Sequence, residues 1–498
     1  MRIPFPERIS LTGTVLFALF LCTMQQLQGT DPIFSMCCFL FIIVATLAFN
    51  LAGGFTRPSG SYVFFYAVLG VIVGICWKAI LGERADSNLR SPLLTIQVFL
   101  GGICSMWLAV FISRRLTTKK PFLGNFVTDE NMQNATIGLL VIGLTISVLL
   151  IVFPTGSGSV LSALTQINRF LPLAVILGTV HTIRKSGGTR SISLPVIIAG
   201  FFVFAIGVLS FSKEGMFTPF VCWLFAAGSQ RYKLTNYQVI GAVVFVIVMF
   251  VYLVPYSQYG KGVNREDVTF AGQLALASRL LDDIDNVRDQ SNQETEDAYQ
   301  SNVQHYFNSS QGFFDRLQML SVDDVLLDDT EQEGPFGYSP IILGFQNLVP
   351  RVFFPNKPSI NFGNLYAHQL GGLDDDDYTT GISFSPSGEA YHIDKWVGVL
   401  ILEPALLILL FTLFDSLCGD VRKSPWGLLM IAYFSHIAPE GMLGSVIYAL
   451  GFLSFSLVIA AISAAYIAPI VGSLVAGPEN RGLRRGRLIA SIPGRKTT

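Results

Sequence analysis

Glu389, His392, Asp394 and Lys395 fall within fourteen residues, "SFSPSGEAYHIDKW" from Ser383 to Trp396, and a long apolar run follows at once. Pro386, Ser387 and Gly388 form a turn ahead of Glu389, and Tyr391 stands directly before His392. A carboxylate or an imidazole so placed can take a proton from a hydroxyl. Partial desolvation would raise the carboxyl pKa, and nearby cations would lower it. The structural alternative is a helix start, capped by Ser and Glu and anchored at an interface by the aromatic side chains.

Groups able to hold an anion lie elsewhere in the chain. "VPRVFFPNKP" (349–358) sets Arg351 and Lys357 among three prolines. Proline fixes its own φ and restrains the residue before it, so the two cations are held rather than loose. A planar guanidinium can bind phosphate at two points, and an ammonium adds a point charge. Lys213, beside Glu214 in "SFSKEGMF", and Arg169 stand at the ends of apolar runs. Both belong at lipid-phosphate depth, and a snorkelling cation, paired locally to Glu214 in the case of Lys213, is the alternative. Glu403 is the clearest charge inside an apolar run, about two helical turns beyond Trp396. A carboxylate there needs a partner, a proton or a role. The acidic run Asp374 to Asp377 lacks the glycine and distal glutamate of an EF-hand and reads as a solvated loop. Six of the seven cysteines lie in apolar runs and no paired Cys/His spacing occurs, so no disulfide framework, metal site or cofactor is expected.

The elements that must position these residues are written in the composition. Of 498 residues, 51% are hydrophobic and 13% charged, where soluble domains carry about a quarter charged. The mean hydropathy is +0.54. The apolar residues come in blocks near the roughly 20 residues that cross a bilayer as a helix. Twelve spanning segments are expected, near 9–24, 33–53, 61–81, 92–113, 135–153, 169–183, 193–211, 214–228, 237–255, 396–415, 425–437 and 442–470. The first has no convincing small-residue cleavage site and reads as a spanning helix. Pro172, Pro195, Pro219, Pro404 and Pro469 are candidate kinks.

With the N-terminus inside, inside segments carry 20 Lys and Arg and short outside segments carry five, Lys78, Arg84, Arg90, Arg169 and Lys213. That bias places both termini in the cytoplasm. The chain then divides into nine spans (1–255), an outer loop (256–395), three spans (396–470) and a basic tail (471–498). The tail reads as a topology anchor near anionic headgroups, not as a nucleic-acid site. The loop holds 22 Asp and Glu against 8 Lys and Arg. Within it, "FFDRLQMLSVDDVLL" spaces apolar residues as an amphipathic helix lying on the membrane would.

Taken together, these segments resemble the bacterial O-antigen and exopolysaccharide polymerases, the Wzy-type oligosaccharide repeat-unit polymerases. The resemblance is most specific from Asp315 to Val399, in "DRLQML", "VPRVFFPNKP", "TGISFSPSGEAY" and "WVGVLI", and "SFSKEGM" is similar to the family's Ser-Arg/Lys-x-Gly turn. "YHIDKW" departs from it, standing where many members have an aromatic-glycine pair. The resemblance implies an all-α, polytopic, GT-C-like glycosyltransferase of the bacterial inner membrane. It would move a glycan from a polyprenyl diphosphate to the next lipid-linked unit, beside a flippase and a chain-length regulator. Negative charge develops on the leaving diphosphate, and cations would stabilise it. Arg351 takes that part, with Lys213, Arg316, Lys357, Arg169, Tyr391 and Glu403 holding substrate. Glu389 is the first choice of base and His392 the second. An O-antigen ligase and a lipid-linked glycan transporter are the alternatives. A transporter is expected to carry paired repeats, broken helices and several midplane charges.

Overall fold

The computed structural model describes residues 2–124, 126–153, 164, 168–263, 270–297, 306–307, 317–349, 354, 361–373 and 381–476. The regular structure among them is helical (78% helix) and no strand forms. Each of the twelve apolar segments coincides with a helix. In chain order these are Leu11–Leu27, Pro32–Ala52, Pro58–Leu81, Pro92–Leu116, Met132–Val152, Phe170–Lys185, Leu194–Leu209, Lys213–Ser229, Asn236–Lys261, Pro386–Cys418, Trp426–Glu440 and Met442–Val475. Seven are long and apolar enough to cross a membrane, as a polytopic membrane protein requires.

Local chemistry sets the starts. The Asp31 carboxylate accepts the Ile33 and Phe34 N–H groups. Pro32, Pro58 and Pro92 occupy first turns, where a missing N–H costs nothing. Of the candidate kinks, Pro195 also sits in a first turn. Pro404 and Pro469 each follow a π-helical turn, Gly398–Leu402 and Ser463–Ile467, which absorbs the disturbance to the ladder. Phe170–Lys185 has twelve of its sixteen residues buried and forms the bundle centre. Asn236–Val248 buries none of its residues against protein, and an apolar helix so exposed belongs against lipid.

The helix ends sort into two groups. At a basic end, Arg184 donates to Asp129 (2.6 Å), to Gln230 (3.0 Å) and to the Arg422 carbonyl (3.0 Å). These bonds tie together the ends of Phe170–Lys185, Lys213–Ser229 and Trp426–Glu440. At the opposite, loop end, the segment between residues 262 and 385 emerges. Its helix Leu320–Glu333 does not lie free on a membrane surface, as the amphipathic spacing suggested. It docks on the bundle through two adjacent buried acids. Asp324 accepts the Arg90 and Ser91 N–H groups and the Thr95 hydroxyl (2.7 Å) at the start of Pro92–Leu116. Asp323 accepts the Ser385 N–H (2.9 Å) and hydroxyl at the start of Pro386–Cys418. Each acid therefore meets the positive end of a helix dipole.

Pro386–Cys418 is itself two helices. Asp394 (φ −155°, ψ 45°) and Lys395 (φ 43°, ψ −133°) are non-helical, and the chain reverses there. Ser387 Oγ donates to Glu403 at 2.9 Å, whereas a straight helix would hold those residues about 24 Å apart. Tyr391 and Trp396 stack edge to face at 5.6 Å. Gly398 lies so close to the Ala390 carbonyl that a Cβ would sit 1.8 Å from its oxygen. The second helix does begin at Trp396, but residues 386–393, expected as loop, form a first helix folded back along it.

Candidate functional site

Four neighbouring helices are short. Phe170–Lys185, Leu194–Leu209, Lys213–Ser229 and Trp426–Glu440 have 15 to 17 residues, or about 22–26 Å at 1.5 Å each. Pro58–Leu81 and Pro92–Leu116, with 24 and 25, reach about 36–38 Å. Three of the four are tied together at the basic end by Arg184. Their opposite, loop ends share one polar, partly exposed cluster, termed the recess.

Polar side chains collect there. Arg169, just ahead of Phe170–Lys185, donates to the Tyr433 hydroxyl (2.7 Å) and the Tyr448 hydroxyl (3.2 Å). Its guanidinium also lies 4.6 Å from the Tyr433 ring centroid, and its buried Nε has no partner. Among the described residues no carboxylate lies within ion-pair distance of it. Two tyrosine hydroxyls take guanidinium donors without carrying a charge, and the carboxylate that acts on Arg169 from farther off is Glu214. His436 Nδ1 meets Glu440 at 2.5 Å, and His436 Nε2 lies 4.0 Å from Glu214. Spacings of three and four place Tyr433, His436 and Glu440 on one face of Trp426–Glu440. The side chains of His436, Glu440 and Glu214 are 45%, 40% and 47% exposed, so the protein encloses none of them.

The floor of the recess is the turn from Glu440 to Met442. Met442 has φ 52°, a left-handed conformation unfavourable for a residue with a Cβ. Two contacts hold it: the Met442 N–H donates to the Phe384 carbonyl (3.2 Å), and Glu389 accepts the Leu443 N–H. Glu389 also accepts from the Tyr366 hydroxyl (3.3 Å). Its residue is 1% exposed, so the carboxylate caps the start of Met442–Val475 and faces no solvent.

His392, the second choice of base, is fully buried. Nδ1 meets the Thr330 hydroxyl at 2.8 Å, and the ring packs on Phe336 and Tyr366. That environment fastens Leu320–Glu333 to the folded-back helix and leaves no path to a substrate hydroxyl. Tyr391 serves the same junction, donating to Glu331 (2.8 Å), which also pairs with Lys395 (3.0 Å). Glu403 is fully buried; one oxygen takes the Ser387 hydroxyl, which also meets Tyr66 at 2.6 Å, and the other has no partner. Lys213 is the first residue of its helix, capped by Ser212. Arg316, Arg351, Lys357 and Asp374 to Asp377 lie outside the described residues. Close before Arg351, Gly344 packs on Ile447 and Leu348 on Gly451, within a turn of Tyr448.

Of the nine residues singled out in the sequence, the structure sets Arg169 in the recess and Lys213 next to Glu214, a recess residue, while Glu389 supports its floor. His392 and Tyr391 are sent to the strap junction, and Glu403 to the interior. His436, Glu440, Tyr433 and Tyr448 escaped sequence reading. The signal was present in "FSHIAPEG", where two titratable residues four apart close an apolar run.

Burial pushes Asp323 up to about 7, against the opposing pull of the Ser385 hydrogen bonds. Asp324 is raised by burial too, offset by bonds from Arg90, Thr95 and Ser91. No family model, curated protein sequence or solved structure matches the chain.

Proposed function

We propose that the chain is a membrane glycosyltransferase that polymerises lipid-linked oligosaccharide repeat units. In this reading all twelve apolar helices span, both termini are cytoplasmic, and the loop end faces outward. The observation that carries the reading is Arg169: a guanidinium held by two tyrosines with no carboxylate at ion-pair distance among the described residues, next to a partly exposed His436–Glu440 pair. A diphosphate leaving group needs such a cation, and a sugar hydroxyl needs such a base.

The step is an acyl-free displacement at a sugar carbon. His436 takes the acceptor hydroxyl proton, with Glu440 fixing the ring and stabilising the imidazolium. The acceptor oxygen bonds to the anomeric carbon, and the bond from that carbon to the diphosphate oxygen breaks. The electron pair leaves on the lipid diphosphate, where Arg169 opposes the growing charge. Lys213 stands at the rim for the same anion. Arg351, three residues after Leu348, is the loop's contribution, with Arg316 and Lys357 as further loop cations. Glu389 becomes a positioning residue, since it holds the turn that joins the His436 and Tyr448 helices. Apolar walls suit a polyprenyl chain and the open loop end suits its glycan.

The test is deletion of the gene in its source bacterium, followed by gel analysis of surface and lipid-linked glycan. Loss of polymer with accumulation of single repeat units supports the reading. Full-length polymer held back from its final lipid acceptor supports a ligase instead, and unit accumulation on the cytoplasmic leaflet supports a transporter.

A further inference from the structure

The basic end holds a second site, far from the recess. A cavity of about 200 Å³ is lined by Arg8, Arg57, Arg114 and Arg422, with Glu7, Asp420, Asn50, Gly53 and Thr56. Four guanidiniums from four separate stretches of chain meet there. Arg8 comes from the N-terminal segment, Arg57 from the turn before Pro58–Leu81, Arg114 from the last turn of Pro92–Leu116, and Arg422 from the turn before Trp426–Glu440.

The acids do not serve all four. Arg422 takes both lining carboxylates: Asp420 accepts its Nε (3.0 Å) and Nη2 (2.8 Å), and Glu7 accepts its Nη1 (3.1 Å). Asp415, fully buried nearby, has both oxygens engaged by Ser59, at 3.2 Å from the N–H and 2.7 Å from the hydroxyl. Arg57 reaches it only at 3.8 Å, too far for a hydrogen bond. Arg114 donates to the Leu51 carbonyl, a neutral acceptor, and feels the like charges of Arg57 and Arg8. Arg8 forms no hydrogen bond or ion pair among the described residues. Three cations thus converge on a small cavity with spare N–H donors, and only Asp415, 3.8 Å from Arg57 and already held by Ser59, offsets them. Guanidiniums in that arrangement match the tetrahedral oxygens of a phosphate.

We propose that this cavity binds a phosphate group through Arg8, Arg57 and Arg114. The phosphate is either a free anion or the headgroup of an anionic phospholipid. Bound there, it pins the N-terminal segment to the bundle. That segment already crosses the basic end, with Ile3 N–H on the Tyr232 carbonyl (3.1 Å), Phe55 N–H on the Pro6 carbonyl (3.1 Å) and Ile9 N–H on Asn50 Oδ1 (2.7 Å). The inference stands independently of the reaction assigned to the recess.

The experiment uses the full-length protein, purified and stripped of lipid. Melting temperature is followed in detergent against inorganic phosphate at constant ionic strength. It is followed again in nanodiscs of phosphatidylglycerol or of phosphatidylcholine, with native mass spectrometry counting retained lipids. Stabilisation by phosphate identifies a free-anion site, and stabilisation by phosphatidylglycerol alone identifies a lipid site. In either case Arg114→Gln and Arg8→Gln should each weaken binding by roughly tenfold or more, and exposed Lys119→Gln should not. Arg8→Gln guards against misfolding, because the Arg8 side chain has no described bond to lose. Absence of stabilisation in both media, or equal stabilisation in the arginine variants, overturns the proposal.

Discussion

Replacing Glu389 by glutamine and by alanine separates a carboxylate that caps from one that accepts a proton in catalysis. In the structure the carboxylate takes the Leu443 N–H and the Tyr366 hydroxyl. Glutamine of the same length can keep one oxygen on the Leu443 N–H and turn its amide toward the Tyr366 oxygen, which can accept. The cap survives, and the expected cost stays below about 1 kcal/mol. Alanine leaves two buried donors, the Leu443 N–H and the Tyr366 hydroxyl, without acceptors. Each unmade bond costs about 1–3 kcal/mol, so the loss is about 2–6 kcal/mol. Met442, already at φ 52°, then loses what holds it, and the spacing of His436 from Tyr448 relaxes. The assay is single-turnover polymerisation of purified polyprenyl-diphosphate-linked repeat units, at matched protein levels, with melting temperature measured in parallel. Glu389→Gln should turn over within about threefold of wild type, and Glu389→Ala should lose both stability and activity. His436→Ala should lose the roughly 10²–10⁴ typical of a missing general base while melting normally. A Glu389→Gln protein that melts like wild type but falls a hundredfold or more in rate refutes the capping assignment and restores Glu389 as the base.

Arg169→Lys keeps the charge but cannot reach both tyrosines, so the rate should fall about tenfold to a hundredfold, and Arg169→Leu further; unchanged turnover in Arg169→Leu removes it from the site. Gly388→Ala would put a Cβ 2.4 Å from Asp323 Oδ2, an acid already pinned by Ser385, so the strap Leu320–Glu333 should become protease-sensitive in that variant, and unaltered cleavage would contradict the docking. Asp323 has a folded pKa of about 7 against about 3.9 unfolded, so between those values the folded protein holds a proton that the unfolded chain has released. Its contribution to stability therefore falls as pH rises from about 4 to about 7, by at most about 1.4 kcal/mol per pH unit; melting against pH should show that slope in wild type and lose it in Asp323→Asn. A reporter fused at Asp285 should read as external, and a cytoplasmic reading there would invert the topology and remove the recess from the outer leaflet.

What the sequence determined by itself is the set of helices. Twelve apolar segments became twelve helices, seven of them long and apolar enough to cross a membrane, because an apolar stretch must satisfy its own backbone locally, whatever surrounds it. Caps and first-turn prolines are local too, and so is the start at Trp396. The site was not local. Ser387 meets Glu403 only because the chain reverses at Asp394 and Lys395, and no hydrophobic period marks a reversal between two helical stretches. Asp323 and Asp324 look solvated in "SVDDVLL"; only the approach of two distant helix starts, at Arg90 and Ser385, makes them buried clamps. Arg169 stands more than 250 residues from Tyr433 and Tyr448, and their meeting depends on which helices pack beside one another. Side-chain chemistry was legible at each position, but exposure is a property of the packed bundle. That is why Glu389 and His392, the most reactive-looking pair in the sequence, are enclosed, while His436 and Glu440 are left partly exposed.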